Sequence, residues 1–131
     1  MITLKEYLMN RDKDFPIDIH QARNAADLLS RVNYLFGRLN LHAPVSSGYR
    51  PSAINHQIGG AKMSTHTMCA GIDLLDQYGK IGILLSKRTD LLKECGLWLE
   101  NPDYTKKLVN GVLVNWVHLD IKERKNIIFN P

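Results

Sequence analysis

The clearest pattern of hydrophobic and polar positions lies between Ile17 and Leu39. Apolar residues recur there at spacings of three and four, which places them on one face of an α-helix. They are Ile19, Ala22, Ala26, Leu29, Val32, Leu35, Phe36 and Leu39. The pattern predicts a long helix that packs this face against the core of the protein.

Two other stretches have helical character. Near the start, Thr3 is followed three residues later by Glu6, which is the spacing of a capping box and predicts a short helix ending near Arg11. Residues 81–95 predict a second helix, with Gly96 as its C-terminal stop.

Short apolar or alternating runs predict the strands. These runs are residues 45–49, 70–75, 97–100 and 116–121. Between Lys107 and Val114, apolar residues flank Asn110 and Gly111, a pattern typical of a tight hairpin. Residues 52–64 are rich in Gly, Ser, Asn and Ala and predict a loop with a helical turn at residues 53–58. The sum predicts an α+β fold, with helices packed on one face of a small, mostly antiparallel sheet.

The length favours one domain. The chain has 131 residues and 44% hydrophobic residues, enough for one core but too few for two. We find no repeat, linker or low-complexity segment, so a single domain over residues 1–131 is expected. The start carries no export pattern, and no apolar run approaches the ~18 residues that span a bilayer. We therefore expect no membrane insertion and a protein that stays in a cytoplasm unless something else releases it.

The charge and the cysteines exclude some classes of function. The net charge of +4 suits nucleic acid, an anionic membrane surface or a bacterial wall. Lysine and arginine are spread along the chain without a basic stripe or interleaved aromatics, so we expect no nucleic-acid partner. Cys69 and Cys95 have no CxxC spacing and predict neither a disulfide framework nor a thiolate zinc site.

Three residues on or beside predicted strands are candidate metal ligands: His66, Asp73 and His118. A catalytic zinc site commonly takes three ligands from histidine and carboxylate and leaves a fourth position for water. A lone histidine on a strand is more often a hydrogen-bonded structural residue, and Asp73 could cap or pair at a strand end. The residues by themselves leave both interpretations open.

Their surroundings resemble the M15 zinc metallopeptidases. The matching segments are Ser47-Gly48-Tyr49-Arg50-Pro51, Ser64-Thr65-His66 with Asp73 seven residues after the histidine, and Trp116-Val117-His118-Leu119-Asp120. This family includes D-alanyl-D-alanine carboxypeptidases and phage endolysins that cut cell-wall peptides, and the hedgehog signalling domain shares its fold. The resemblance runs in order from about Val45 to Ile121. Residues 3–12 and the long helix are similar to the small phage-encoded branch.

The resemblance implies a zinc ion bound by two imidazoles and one carboxylate, those of His66, Asp73 and His118. Arg50 is then expected at the mouth of the site, where it would hold a developing oxyanion or a substrate carboxylate. A surface salt bridge is the alternative role for Arg50. Ser64 either bonds the substrate or orients its loop. Asp120, two residues after His118, lies on the same strand face and is a candidate partner of that ligand.

The general base departs from the commonest family pattern. Many members place Glu or Asp three residues before the last histidine, where this chain has Asn115, which cannot accept a proton at neutral pH. The phage-like branch and the hedgehog fold supply a glutamate from the preceding strand, and residues 97–103 resemble that segment. Glu100 is therefore the expected base, with Asp103 as the alternative. Glu100 can lie beside His118 only if the hairpin between them folds back as a pair of strands.

The function implied is zinc-dependent hydrolysis of amide bonds in peptidoglycan stem peptides, of the endolysin or D-Ala-D-Ala carboxypeptidase type. Absence of a Ser-His-Asp or Cys-His arrangement favours water attack over a covalent intermediate. The alternative is a catalytically silent binding or structural module of a phage particle that retains the fold and metal. Since no export pattern is seen, a holin-type partner or packaging into a particle would be needed. The protein is therefore expected in the host cytoplasm before lysis or in the virion.

Overall fold

The computed structural model describes the whole chain, residues 1–131. The helices are α1 (Leu4–Leu8), α2 (Ile19–Leu39), α3 (Ser52–Gln57), α4 (Lys80–Ser86) and α5 (Thr89–Cys95). The strands are β1 (Val45–Ser47), β2 (Gly71–Leu75), β3 (Trp98–Glu100), β4 (Lys106–Val109), β5 (Val112–Asp120) and β6 (Ile128–Phe129). Short 3-10 helices lie at Arg11–Lys13, Thr65–Met68 and Pro102–Tyr104.

The sheet has the strand order β1-β2-β5-β3-β6, and β4 pairs with the first half of β5. Every pair is antiparallel except β3 with β6, which is parallel. Strand β5 is the centre of the sheet because its second half pairs with β2 on one side and β3 on the other. This architecture confirms the expected α+β fold with a mostly antiparallel sheet.

One hydrophobic cluster joins α1, α2, α4 and α5 to a single face of the sheet. The strands contribute Ile72, Leu74, Leu99, Val117 and Leu119 to this cluster, and Leu97 joins it from just before β3. Because side chains alternate along a strand, the residues between these point to the opposite face. That second face carries Asp73, Glu100 and His118. Cys69 and Cys95 are both free thiols buried in this cluster.

Helix α2 confirms the long helix but begins two residues later than expected. Asp18 caps it: its side chain accepts from the backbone of Gln21, and the Gln21 side chain bonds back. The buried face is also rotated from the one predicted, since Ala25 and Leu28 are buried whereas Ile19 and Ala26 are exposed. None of the helices combines the length and the apolar character that crossing a bilayer requires.

Of two other predicted helices, one ends earlier than expected and one is interrupted. Helix α1 has the predicted capping box at Thr3 but stops at Leu8, because the next two residues adopt left-handed backbone angles. The predicted helix over residues 81–95 is divided into α4 and α5. The N–H groups of Lys87 and Arg88 bond to carbonyls three residues back, and Arg88 has non-helical angles of φ −122° and ψ 47°.

The hairpin between β4 and β5 confirms the sequence prediction at Asn110 and Gly111. Both residues have positive φ, 49° and 78°, as a tight two-residue turn requires. The strand predicted over residues 116–121 is the second half of β5, so the hairpin leads directly into the central strand. Strand β6 is an addition that the sequence patterns did not predict.

Candidate metal centre and active-site cavity

The sheet face away from the core brings the three candidate ligands together. Asp73 lies in the middle of β2, directly opposite His118 on β5. His66 lies in the 3-10 helix that precedes β2. One potential ligand atom from each residue lies within 4.8 Å of the other two, and the group could hold a metal ion.

One ring nitrogen of His66, Nδ1, is hydrogen-bonded to a backbone carbonyl. Its Nδ1 lies 2.8 Å from the carbonyl oxygen of Gly48. A carbonyl can only accept, so Nδ1 carries the proton and donates. Nε2 is then the nitrogen with the free lone pair, and it lies 3.3 Å from Asp73 Oδ2. His66 thus directs a metal-binding nitrogen towards the carboxylate.

His118 likewise has one ring nitrogen in a hydrogen bond, in this case with a side chain. Its Nε2 lies 2.9 Å from Oδ2 of the buried Asp120, and its Nδ1 lies 2.8 Å from Asp73 Oδ1. A proton on Nε2 leaves the Nδ1 lone pair facing Asp73. The two imidazoles therefore converge on one carboxylate with their other nitrogens engaged, as metal-binding histidines do.

The protonation of the cluster shows how well a cation suits it. Burial lowers the pKa of His118, but hydrogen bonds with Asp120 and Asp73 outweigh burial and raise the pKa to about 9. Burial raises the pKa of Asp73, yet hydrogen bonds with His118 and His66 hold it well below its usual range. The carboxylates of Asp73 and Asp120 thus stabilise positive charge at the position that the three candidate ligands face.

Arg50 reaches the cluster from the loop after β1. Its guanidinium donates to Asn55 Oδ1 at 3.0 Å and to Ser47 Oγ at 3.2 Å, and it lies 3.6 Å from Asp73 Oδ2. Burial lowers the pKa of Arg50, opposed by the charge of Asp73, but an arginine stays cationic. The structure places Arg50 beside the cluster rather than in a surface salt bridge.

Glu100 lines the same cavity as the cluster. The pairing of Trp98 with Asp120 and of Leu99 with Leu119 carries Glu100 to the face that holds His118. The cavity has a volume of about 370 Å³ and is lined by Glu100 together with the three candidate ligands and Arg50. Burial raises the pKa of Glu100, with the charge of His118 acting in the opposite direction.

Asp103, Asn115 and Ser64 occupy different positions. Asp103 is exposed in the 3-10 helix after β3 and does not line the cavity. Asn115 precedes His118 by three residues on a regular strand and lies on the opposite face. Ser64 lines the cavity, and its hydroxyl accepts from the backbone N–H of His66 at 3.2 Å. Ser64 thus orients the loop that carries a candidate ligand.

The sequence model of the peptidase M15 family matches residues 5–95, more than half of the chain. The chain belongs to the peptidase M15 family. The match includes Arg50, His66 and Asp73, whereas Glu100 and His118 follow it along the chain. No curated protein and no solved structure matches the chain significantly. A metallopeptidase family and a His-Asp-His cluster that could hold a metal ion agree with one another.

This M15 peptidase has supporting contacts that the sequence did not predict. Gly48 supplies the carbonyl to His66 and has no room for a side chain, since a Cβ there would lie 1.9 Å from the backbone oxygen of Tyr7. Arg124 donates to Asp120 at 2.7 Å, and its guanidinium lies 3.6 Å from the ring centre of Phe129. A contact made by a backbone carbonyl leaves no local signal in a sequence. The same holds for contacts of Arg124 and Phe129, which come from the segment after β5 that folds back onto the sheet.

Proposed function

We propose that the protein is a zinc-dependent peptidase that hydrolyses an amide bond in the stem peptides of bacterial peptidoglycan. The observation that carries the proposal is the cavity in which a His-Asp-His cluster, a half-buried glutamate and an anchored arginine meet. Membership of the peptidase M15 family supports peptide hydrolysis. The substrate class and the endolysin or carboxypeptidase type come from the resemblance of the motifs.

Zinc suits the donor set of His66, Asp73 and His118. Two imidazole nitrogens and one carboxylate oxygen make a common catalytic zinc set with a position left for water. Two neutral ligands and one anion leave the site with a net positive charge. When bound, zinc would lower the pKa of a water molecule and polarise the scissile carbonyl.

Glu100 is the group we assign to proton transfer. Its carboxylate faces the cavity beside the cluster, and burial raises its pKa towards the range useful for a base at neutral pH. It accepts a proton from the attacking water and passes that proton to the leaving amine. Asp103 is exposed in the 3-10 helix after β3 and does not line this cavity, which favours Glu100.

Arg50 is the group we assign to negative charge on the substrate. Bonds from its guanidinium to Asn55 and Ser47 fix its orientation, so it needs no rearrangement to meet an oxyanion or a carboxylate. Lys122 also lines the cavity. Its charge and that of Arg50 suit a substrate that carries free carboxylates, as stem peptides do.

The test is digestion of purified peptidoglycan by the zinc-loaded protein, with mass spectrometry of the released fragments. The parent and Asp103→Asn should release the same peptides, and the fragment masses name the bond. Glu100→Gln should slow release by about 10²–10⁴-fold, the usual contribution of a general base. Asp103→Asn is the matched control because it removes one carboxylate from the same segment.

If the folded, zinc-replete parent releases no fragments, the peptidase proposal is rejected, and a phage module that binds without turnover is favoured.

Whether the protein acts from the virion or from the host cytoplasm has a separate test. Detection of the protein in purified phage particles would support packaging in the virion. Absence from particles, with lysis that depends on a holin-type partner, would support release from the host cytoplasm.

A further inference from the structure

Asp120 is a buried carboxylate that the proposed reaction does not use directly. It is 0% exposed, and its Oδ2 receives two hydrogen bonds, from His118 Nε2 at 2.9 Å and Arg124 Nη2 at 2.7 Å. Its Oδ1 is buried without any partner. A buried ionised group with an unsatisfied oxygen costs stability, so a contribution to folding alone does not explain it.

The chain after β5 holds Asp120 in place. Arg124 is stacked against the ring of Phe129 at 3.6 Å, and its backbone carbonyl accepts from the indole N–H of Trp98 at 3.2 Å. Phe129 lies in β6, paired with Glu100, and its ring meets that of His118 edge-on at 6.2 Å. The segment thus returns to the sheet and fixes the guanidinium that holds Asp120.

His118 lies between two carboxylates that compete for its single proton when the ring is neutral. A proton on Nδ1 would be shared with Asp73 and would block the nitrogen that faces the cluster. A proton on Nε2 is accepted by Asp120 and leaves Nδ1 free. The side chain that binds Nε2–H therefore decides whether His118 can act as a ligand.

We propose that Asp120, held by Arg124, is a positioning residue that keeps His118 in the metal-binding tautomer and orientation. The inference rests on the proposed metal site but not on its substrate. Arg124 acts on His118 only through Asp120.

A second aspartate–arginine pair on the molecule provides the control. Asp27 and Arg31 have the same spacing of four residues as Asp120 and Arg124, and their oxygen and nitrogen atoms lie 2.8 Å apart. Their side chains are 46% and 34% exposed, and neither lines the cavity. Substitution of Asp27 therefore breaks a similar pair outside the cavity.

The experiment measures zinc affinity by competition with a chromophoric chelator, using full-length variants that circular dichroism shows to be folded. Asp120→Asn should weaken zinc binding by about 10–100-fold, the usual effect of removing the partner of a metal-bound histidine. Its carboxamide can also donate to Nε2, which favours the wrong tautomer. Arg124→Gln should weaken zinc binding less than Asp120→Asn does. Arg124→Lys should keep most of the affinity that Arg124→Gln loses. Asp27→Asn should bind zinc with the affinity of the parent.

A structural role alone would lower the unfolding temperature without changing the affinity of the folded protein. Equal affinity of the parent and of folded Asp120→Asn would overturn the inference while leaving the metal site intact. If Asp120→Asn does not fold, equal affinity of Arg124→Gln and the parent overturns it instead. A parent that binds no zinc would overturn the proposed function itself.

Discussion

The two faces of the sheet differ in what holds their side chains, although they alternate along the same strands. On one face, Ile72, Leu74, Val117 and Leu119 are almost completely buried by apolar contacts. On the other, Asp73 and His118 are also largely buried, but they are surrounded by hydrogen bonds. Apolar packing is non-directional, whereas hydrogen bonds fix the orientation of each group.

Adjacent residues of β5 therefore have different roles, one in stability and the next in the chemistry of the site. Leu119 packs against the helices, and its neighbours His118 and Asp120 belong to the site. This division predicts that changes on the core face alter the free energy of unfolding, and that changes on the site face alter metal binding and turnover.

Removal of the metal should have the largest effect and should be confined to the site face. Treatment with a chelator, followed by desalting, should reduce peptidoglycan hydrolysis to background, because water activation depends on the ion. Stoichiometric zinc should restore activity. The far-ultraviolet circular dichroism should stay unchanged, since the core cluster contains none of the candidate ligands. Full activity in protein shown by mass spectrometry to lack metal would contradict the proposal.

Substitution on the core face should have the next largest effect. Leu119→Ala should destabilise the protein by about 2–5 kcal/mol, because Leu119 is completely buried and truncation leaves a cavity. Leu113→Ala is the matched control on the same strand, and at 50% exposure it should cost less than about 0.5 kcal/mol. Urea unfolding of the zinc-free proteins measures both. Equal losses would show that the hairpin half of β5 is as tightly packed as the half in the central sheet.

The alternation that separates the faces was visible in the sequence. It predicted the strand that contains His118, and the Asn110-Gly111 pair predicted the hairpin that precedes it. The resemblance to the family supplied the candidate ligands and Glu100, and the structure brings them into one cavity. Local patterns therefore predicted the fold class, and the family likeness predicted which candidate residues meet in that cavity.

Features that depend on distant contacts were not predictable. Strand β6 has only two residues and pairs in parallel with β3, so no local pattern predicts it. The carbonyl of Gly48 can bond His66 only after the chain has folded. The predicted face of α2 was right at Leu29, Val32, Leu35 and Phe36 but wrong at Ile19 and Ala26. Apolar residues such as Ala25 and Ala26 adjoin each other, and only packing selects between them.

The pH dependence of turnover should reveal the ionisation of Glu100 on the site face. A base acts only when ionised, so kcat/KM should fall as the pH drops through the pKa of its carboxyl. Burial raises that pKa above the ordinary 4.5, so the acid limb should lie above pH 4.5, with a slope of about tenfold per unit. The limb should be absent from the residual activity of Glu100→Gln. Zinc content measured at each pH controls for loss of the metal, and a midpoint below 4.5 would contradict this assignment.

The smallest expected effect is that of Asn115→Asp, which restores a carboxylate at the position that many family members use for the base. The change should leave turnover unaltered and shift stability by no more than about 0.5 kcal/mol. It should also fail to restore activity to Glu100→Gln. The reason is geometric: an odd spacing from His118 on a regular strand directs the side chain at this position to the opposite face, near Gly79 rather than into the cavity. Turnover regained by the double variant would mean that β5 twists or slips enough to present both faces to the site, and the division between the two faces would then fail.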